Sequence, residues 1–348
     1  VKYRVLTSLW LLLFSSQMQA RWLEAQWDVM GTRATLSFWR DDTGAQDAHL
    51  SGDTDPVTVA IRKEFDRLNA SLSPWIESSE LYRVNARAAD SAQPISAELN
   101  YLLEKSGDYY RLTDGAFDVT FASVGHLYDY REQAAPDSNQ LRNALPAVGF
   151  DRLRLGAGHV RFTAPGTRID LGGIAKGYAI DRAVDILTHA GIRNAYISLG
   201  GDSYVLGDRR GRDWQVGIRH PRDEQAVAMR LPVSNIAVST SGDYERFFIR
   251  DGERVHHIIN PKSGKSSEGL VSVTILAAHS IDADALSTSV FVMGAERGLD
   301  MINGMENVSA VLITTEGEVL YSGDLAPPSS SSETAASVTG AADRGTGL

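Results

Sequence analysis

Apolar residues recur every three to four positions from Val57 onward, at Val57, Ile61, Phe65, Leu68 and Leu72, which describes one buried face of a helix. Asp55 and Pro56 mark its start, the first as a side-chain cap and the second as a residue that needs no N–H at the first helical position. Ser96 opens a second helix with Leu99, Leu103 and Tyr110 turned inward. A third follows Gly173, with Ala179, Ala183, Ile186 and Leu187 on its apolar face and Gly191 as its stop. Residues 282–293 read as a fourth, closed by Gly294. Short apolar and β-branched runs predict strands at 196–199, 214–218, 236–239 and 271–275, and Asp251–Gly252 and Glu316–Gly317 are hairpin signals. Hairpins beside helices, without a strict β-α-β rhythm, favour an α+β fold with antiparallel sheet over a doubly wound one.

The two ends of the chain read differently from its middle. Lys2 and Arg4 precede an apolar run over residues 5–14, and small and polar residues follow to Ala20. That pattern resembles a secretory signal peptide over residues 1–20, with cleavage near Ala20, and the run is short for a membrane span. From Ala326 the sequence is rich in Pro, Ser, Gly, Ala and Thr, so residues 326–348 are expected to be a disordered tail. One domain over residues 21–325 remains. The net charge of −10 argues against a general nucleic-acid binder, which needs a basic footprint. With no cysteine among its 348 residues, the chain has no thiolate metal site and no cysteine nucleophile.

The chemistry concentrates in a few segments. In DLGGIAKGYAID, residues 170–181, Gly172 and Gly173 let the backbone approach an anion closely, and a helix start with a mobile Lys176 follows. It is not a Walker loop, because Tyr178 stands where the lysine belongs, so alone it is either a phosphate cradle or an ordinary helix entry. Asp284 and Thr288, four apart on a helix, place a carboxylate and a hydroxyl on one face. That pair suits Mg²⁺; equally, the aspartate serves the helix dipole and the threonine bonds its own i−4 carbonyl. His256 and His257 sit on a predicted strand, where adjacent residues face opposite sides. DGAFDVT, residues 114–120, is by itself a tight turn with Asp118 as a local cap.

The order of these segments is more specific than any one of them. MGT, SPWIESSELYRVN, DGAFDVT, DLGGIAKGYAID, SLGGD, HHIINPKSG and ADALSTSVFVMG, spread over residues 27–323, resemble the ApbE family of flavin transferases. The resemblance implies a tunnelling-fold-like α+β architecture and transfer of FMN from FAD to a Ser or Thr hydroxyl of a target flavoprotein, with AMP leaving. Carried onto this chain, it puts Met30, Trp75, Ala116, Phe117, Asp118, Asp170, Lys176 and Ile258 at FAD contacts. It puts Mg²⁺ on the main-chain oxygen of Gly173 and the side chains of Asp284 and Thr288, and makes His257 the base that activates the acceptor hydroxyl. The role of Gly200, Gly201 and Asp202 stays open.

This chain departs from the family pattern at three points. Trp75 replaces a common tyrosine, Asn260 replaces the usual aspartate, and no lipobox cysteine follows the leader. The last implies a periplasmic protein without a lipid anchor, touching membrane-bound targets only peripherally. The implied acceptor is a flavin-bearing subunit of an ion-pumping, extracytoplasmic electron-transfer or nitrous-oxide-respiration system. The same site could instead hydrolyse FAD to FMN and AMP, or bind and deliver FAD without turnover.

Overall fold

Eight strands form the central sheet, and their order in the sheet is their order in the chain. They are β1 (Arg21–Val29), β2 (Thr32–Arg40), β3 (Ala195–Leu199), β4 (Asp202–Leu206), β5 (Ile236–Gly242), β6 (Leu270–Ala277), β7 (Ser309–Thr314) and β8 (Val319–Tyr321). Every pairing between neighbours is antiparallel, as the hairpin signals imply. This computed structural model describes residues 20–41 and 51–325. Apart from Ala20, the expected leader and tail lie outside the described residues.

The first hairpin is not evident from the apolar pattern. Its turn is Met30–Gly31, with φ of 52° and 71°, the left-handed pair a type I′ turn requires. Methionine is an unusual choice for such a position, which normally takes Asn, Asp or Gly, so the sequence hides the turn. The Asp251–Gly252 turn joins Phe247–Arg250 to Glu253–His256, and Glu316–Gly317 lies between β7 and β8. The strand expected at 214–218 belongs to a separate hairpin of Trp214–His220 with Asp223–Val233.

Four long helices are inserted between strands: α1 (Pro56–Leu72), α2 (Ala97–Leu112), α3 (Ala175–His189) and α4 (Ser280–Met293). All five expected apolar positions of α1 are buried, and the Asp55 carboxylate accepts the Val57 N–H at 2.8 Å. On α2 the expectation for Tyr110 is corrected: Tyr109 is the buried ring, and Tyr110 is only half-buried against Phe150. The apolar stripe of α2 runs through Leu102, Leu103 and Ser106 to Tyr109, whose hydroxyl donates to Asp282 of α4 at 2.5 Å. Ile186 of α3 is likewise half-buried rather than core.

Helices α3 and α4 pack on the sheet and on each other at Gly177. A Cβ there would lie 2.2 Å from the Ser280 carbonyl oxygen, so only glycine permits the approach. Four residues later, Asp181 of α3 caps α4, accepting the Ser280 and Ile281 N–H groups at 2.7 and 3.0 Å. This carboxylate satisfies donors that His279, at the N-cap position, leaves without a side-chain partner. All eight residues of β6 are buried beneath this layer.

Candidate active site

The first turn of α3, the middle of α4, the start of β4 and the end of β5 meet at one point. Lys176 Nζ lies 2.5 Å from Asp202 Oδ2 and 3.3 Å from Asp284 Oδ1. Asp284 also accepts the Gly177 N–H at 2.9 Å. Asp202 accepts from Ser239 Oγ, which lies 3.1 Å from Ser287 Oγ. Ser241 Oγ approaches Ser287 Oγ at 2.8 Å and Thr288 Oγ1 at 3.4 Å. The expected mobile charge of Lys176 is thus corrected: two buried carboxylates pin it. Asp202, whose role the motif left open, is one of them, with the close packing of Gly201 against Thr240 just before it.

Burial governs the electrostatics of this pole. It pushes the Asp284 carboxyl well above the usual range, Asp202 adds to the shift, and Lys176 and the Gly177 N–H oppose it. Burial also works against the charge on Lys176, but the two aspartates outweigh it and raise its pKa. Two acids share one lysine, so the pole is short of positive charge.

The three residues expected to ligate metal are brought together. A Cβ on Gly173 would lie 3.3 Å from Thr288 Oγ1, which places its backbone against the hydroxyl, and Asp284 is one helical turn from Thr288. The Asp284 carbonyl, the i−4 acceptor for Thr288, takes the Ser287 hydroxyl instead, at 3.0 Å. Among the described residues no three His, Cys, Asp or Glu side chains cluster as metal ligands, so a cation here draws on carboxylate, hydroxyl and carbonyl oxygens.

Of the expected flavin contacts, Phe117 and Asp170 lie nearest the pole. Phe117 is buried edge-on to Tyr109, and its Cε2 would also meet a Gly173 Cβ at 3.3 Å. Ala116 precedes it, buried. Asp118 is a local cap, accepting the Thr120 N–H at 2.8 Å and its hydroxyl at 2.6 Å, and burial pushes its pKa up to about 6. Asp170 accepts the Gly172 N–H at 2.7 Å, and burial raises it too. Met30, at the tip of the first hairpin, borders an open cleft of about 660 Å³ lined by residues 28–33 and Asn69. Trp75 stands 76% exposed after α1, and no ring contact or side-chain hydrogen bond ties it to the others among the described residues.

The strand expected to carry both histidines ends at His256, so His257 lies just beyond it and their separation does not come from strand alternation. His256 is buried, its Nε2 2.8 Å from the Ser267 carbonyl and its ring edge-on to Phe291. His257 is part exposed, its Nδ1 is buried without a partner, and its N–H donates to the Arg246 carbonyl at 3.1 Å. Burial depresses its pKa to about 3, helped by His256 and the positive charges of Arg246 and Lys176. It is a neutral imidazole. Ile258 beside it is buried, and Asn260 Oδ1 takes the Lys262 N–H at 2.9 Å, so the asparagine shapes a turn.

A model of the ApbE family matches residues 30–312. The chain belongs to the ApbE family. It is 34% identical over 286 residues to the FAD:protein FMN transferase of Treponema pallidum, covering 76% of this chain and 79% of that one. The FAD:protein FMN transferase of Vibrio cholerae is 30% identical over 78% of this chain and 89% of its own length. Among solved structures, the ApbE protein of Thermotoga maritima superposes with a TM-score of 0.78 at 29% identity, covering 87% of this chain and 98% of its own. The flavin transferase ApbE of Vibrio cholerae gives 0.76 at 25% identity, over 87% and 97%.

Proposed function

We propose that this protein is an FAD:protein FMN transferase, moving FMN from FAD to a Ser or Thr hydroxyl of a target flavoprotein. One observation carries the reading beyond family membership. A neutral histidine whose Nδ1 has no partner lies within the electrostatic reach of a half-buried lysine that is itself held by two carboxylates.

In the step proposed, the acceptor oxygen bonds to the FMN-side phosphorus, the bridging P–O bond breaks, and AMP leaves. The hydroxyl proton passes to the imidazole of His257. A histidine that enters neutral can take that proton, and the anionic substrate beside it raises its basicity toward the working range. Asp284, Thr288 and the Gly173 carbonyl would hold Mg²⁺, since their hard oxygens and the glycine's missing Cβ fit that ion. When bound, Mg²⁺ neutralises charge on the diphosphate and its leaving oxygen. Lys176 orients Asp284 and Asp202 and keeps the pole from carrying two uncompensated negative charges. The buried Phe117 and Ile258 and the cleft beside Met30 offer the apolar walls a flavin or adenine ring requires.

Incubation with FAD, Mg²⁺ and an acceptor flavoprotein tests this directly. Flavin fluorescence that stays on the acceptor after denaturation is expected. Free FMN with an unlabelled acceptor would make the protein a hydrolase, and unchanged FAD would contradict both. Export to the periplasm belongs to the same proposal, on the strength of Lys2, Arg4 and the apolar run after them. Intact mass of periplasmic material is expected to begin close to Arg21; a mass retaining residues 1–20 would contradict export with cleavage.

A further inference from the structure

The segment between β5 and the hairpin strand Phe247–Arg250 carries two acids and one cation, and only the cation is uncommitted. Asp243 is held by Arg222 at 2.6 Å and 2.8 Å and approached by Arg254 at 3.5 Å. Glu245 pairs with Arg219 at 3.2 Å. Arg246, the next residue, has no ion pair or side-chain hydrogen bond among the described residues. Its Nη2 lies 3.4 Å from where a Cβ of Gly31 would stand, which sets the guanidinium against the Met30–Gly31 turn. Its carbonyl meanwhile holds the His257 N–H, so the backbone of Arg246 is tied to the base and its side chain reaches the flavin-contact turn.

We propose that Arg246 is a substrate-binding residue that clamps an anionic oxygen of the FAD diphosphate from the Met30–Gly31 side. This rests on reading the site as one for FAD. The charge inventory asks for such a group. Lys176 is consumed by Asp202 and Asp284, while a diphosphate brings further negative charge. The positive charge of Arg246 extends over Asp170 and His257, two groups of the site. A guanidinium presents parallel donors that match a phosphate, and one held beside a strained turn starts near its working position. Gly31 is needed there, because φ of +71° suits glycine and a larger residue would press on the arginine.

The experiment is a fluorescence titration of FAD on the full chain without acceptor, at two salt concentrations. It uses wild type, Arg246→Gln, Arg246→Lys and the control Arg250→Gln, with thermal stability measured alongside. Arg250 is exposed on the same hairpin, where it reaches the Ala135 carbonyl at 3.3 Å and Asp251 at 4.0 Å. Arg246→Gln is expected to weaken FAD binding by about 10- to 100-fold and to flatten its salt dependence. Arg246→Lys should fall between, and Arg250→Gln should match wild type. Unchanged affinity in Arg246→Gln, or equal losses in Arg246→Gln and Arg250→Gln, would overturn the clamp. A wild type that binds FAD without transferring FMN would contradict the transferase and leave this test standing. A wild type that does not bind FAD would remove both.

Discussion

The two sides of the site solve opposite problems. On one, Lys176, Asp202 and Asp284 keep three ionisable groups in contact and balance them against one another, with Gly177 and Ser239 supplying further donors. On the other, burial, helped by the nearby Arg246 and Lys176, strips His257 of its charge. A buried charge persists only with partners, whereas a buried histidine can shed its proton. On the function proposed, the first side would hold an anion's counter-charge and the second would receive a proton. Neither could do the other's work.

Removing the carboxylate breaks the first side most severely. Asp284→Ala takes away the proposed cation ligand and one of the lysine's two carboxylate partners, so Mg²⁺-dependent turnover should fall by more than the roughly 100-fold typical of outer metal partners. A Mg²⁺ titration of activity, with melting temperature as control, is the check; full activity at ordinary Mg²⁺ would remove the assignment. Gly177→Ala attacks the scaffold under the same side. Its Cβ would strike the Ser280 backbone, and a stability loss of about 1–3 kcal/mol in denaturant titration is expected. Asp181→Ala, which uncaps α4, should cost about 1–2 kcal/mol by the same measurement.

The histidine side is tested through pH. The imidazole protonates near 6.5 when unfolded and near 3 when folded, so between those values the unfolded chain binds more protons. The stability that neutral His257 permits is complete above about pH 6.5 and drains away as pH falls toward 3. His257→Ala should therefore unfold less readily than wild type at pH 4 relative to pH 7, measured by thermal melts. An unchanged difference between the two pH values would contradict the neutral state.

Helices with caps and stripes were legible because their signals are local: Asp55–Pro56 and Ser96 start helices where expected. The first hairpin was not, since Met30 adopts positive φ without the residue type that advertises it. The ordered motifs pointed to Asp284, Thr288, Gly173 and His257, and all but the histidine meet at one helical crossing. Asp202 and Arg246 were harder. One acts through a lysine 26 positions earlier, and the other is noticeable only because its neighbours' acids are paired elsewhere. Such facts depend on tertiary contact, which no local pattern carries. The error at Tyr110 has the same origin: helical spacing allows either adjacent tyrosine, and the partner Asp282 selects Tyr109.

The division of labour stands or falls on the adjacent histidines. Single-turnover FMN transfer should be measured for His257→Ala and His256→Ala, with FAD affinity and melting temperature determined on the same samples. The account predicts that His257→Ala binds FAD nearly as wild type does and transfers FMN roughly two to four orders of magnitude more slowly. His256→Ala, which removes a buried ring packed on Phe291, should lower the melting temperature and slow transfer far less. Equal transfer rates in the two variants, or a His257→Ala defect accounted for by weaker FAD binding, would contradict it.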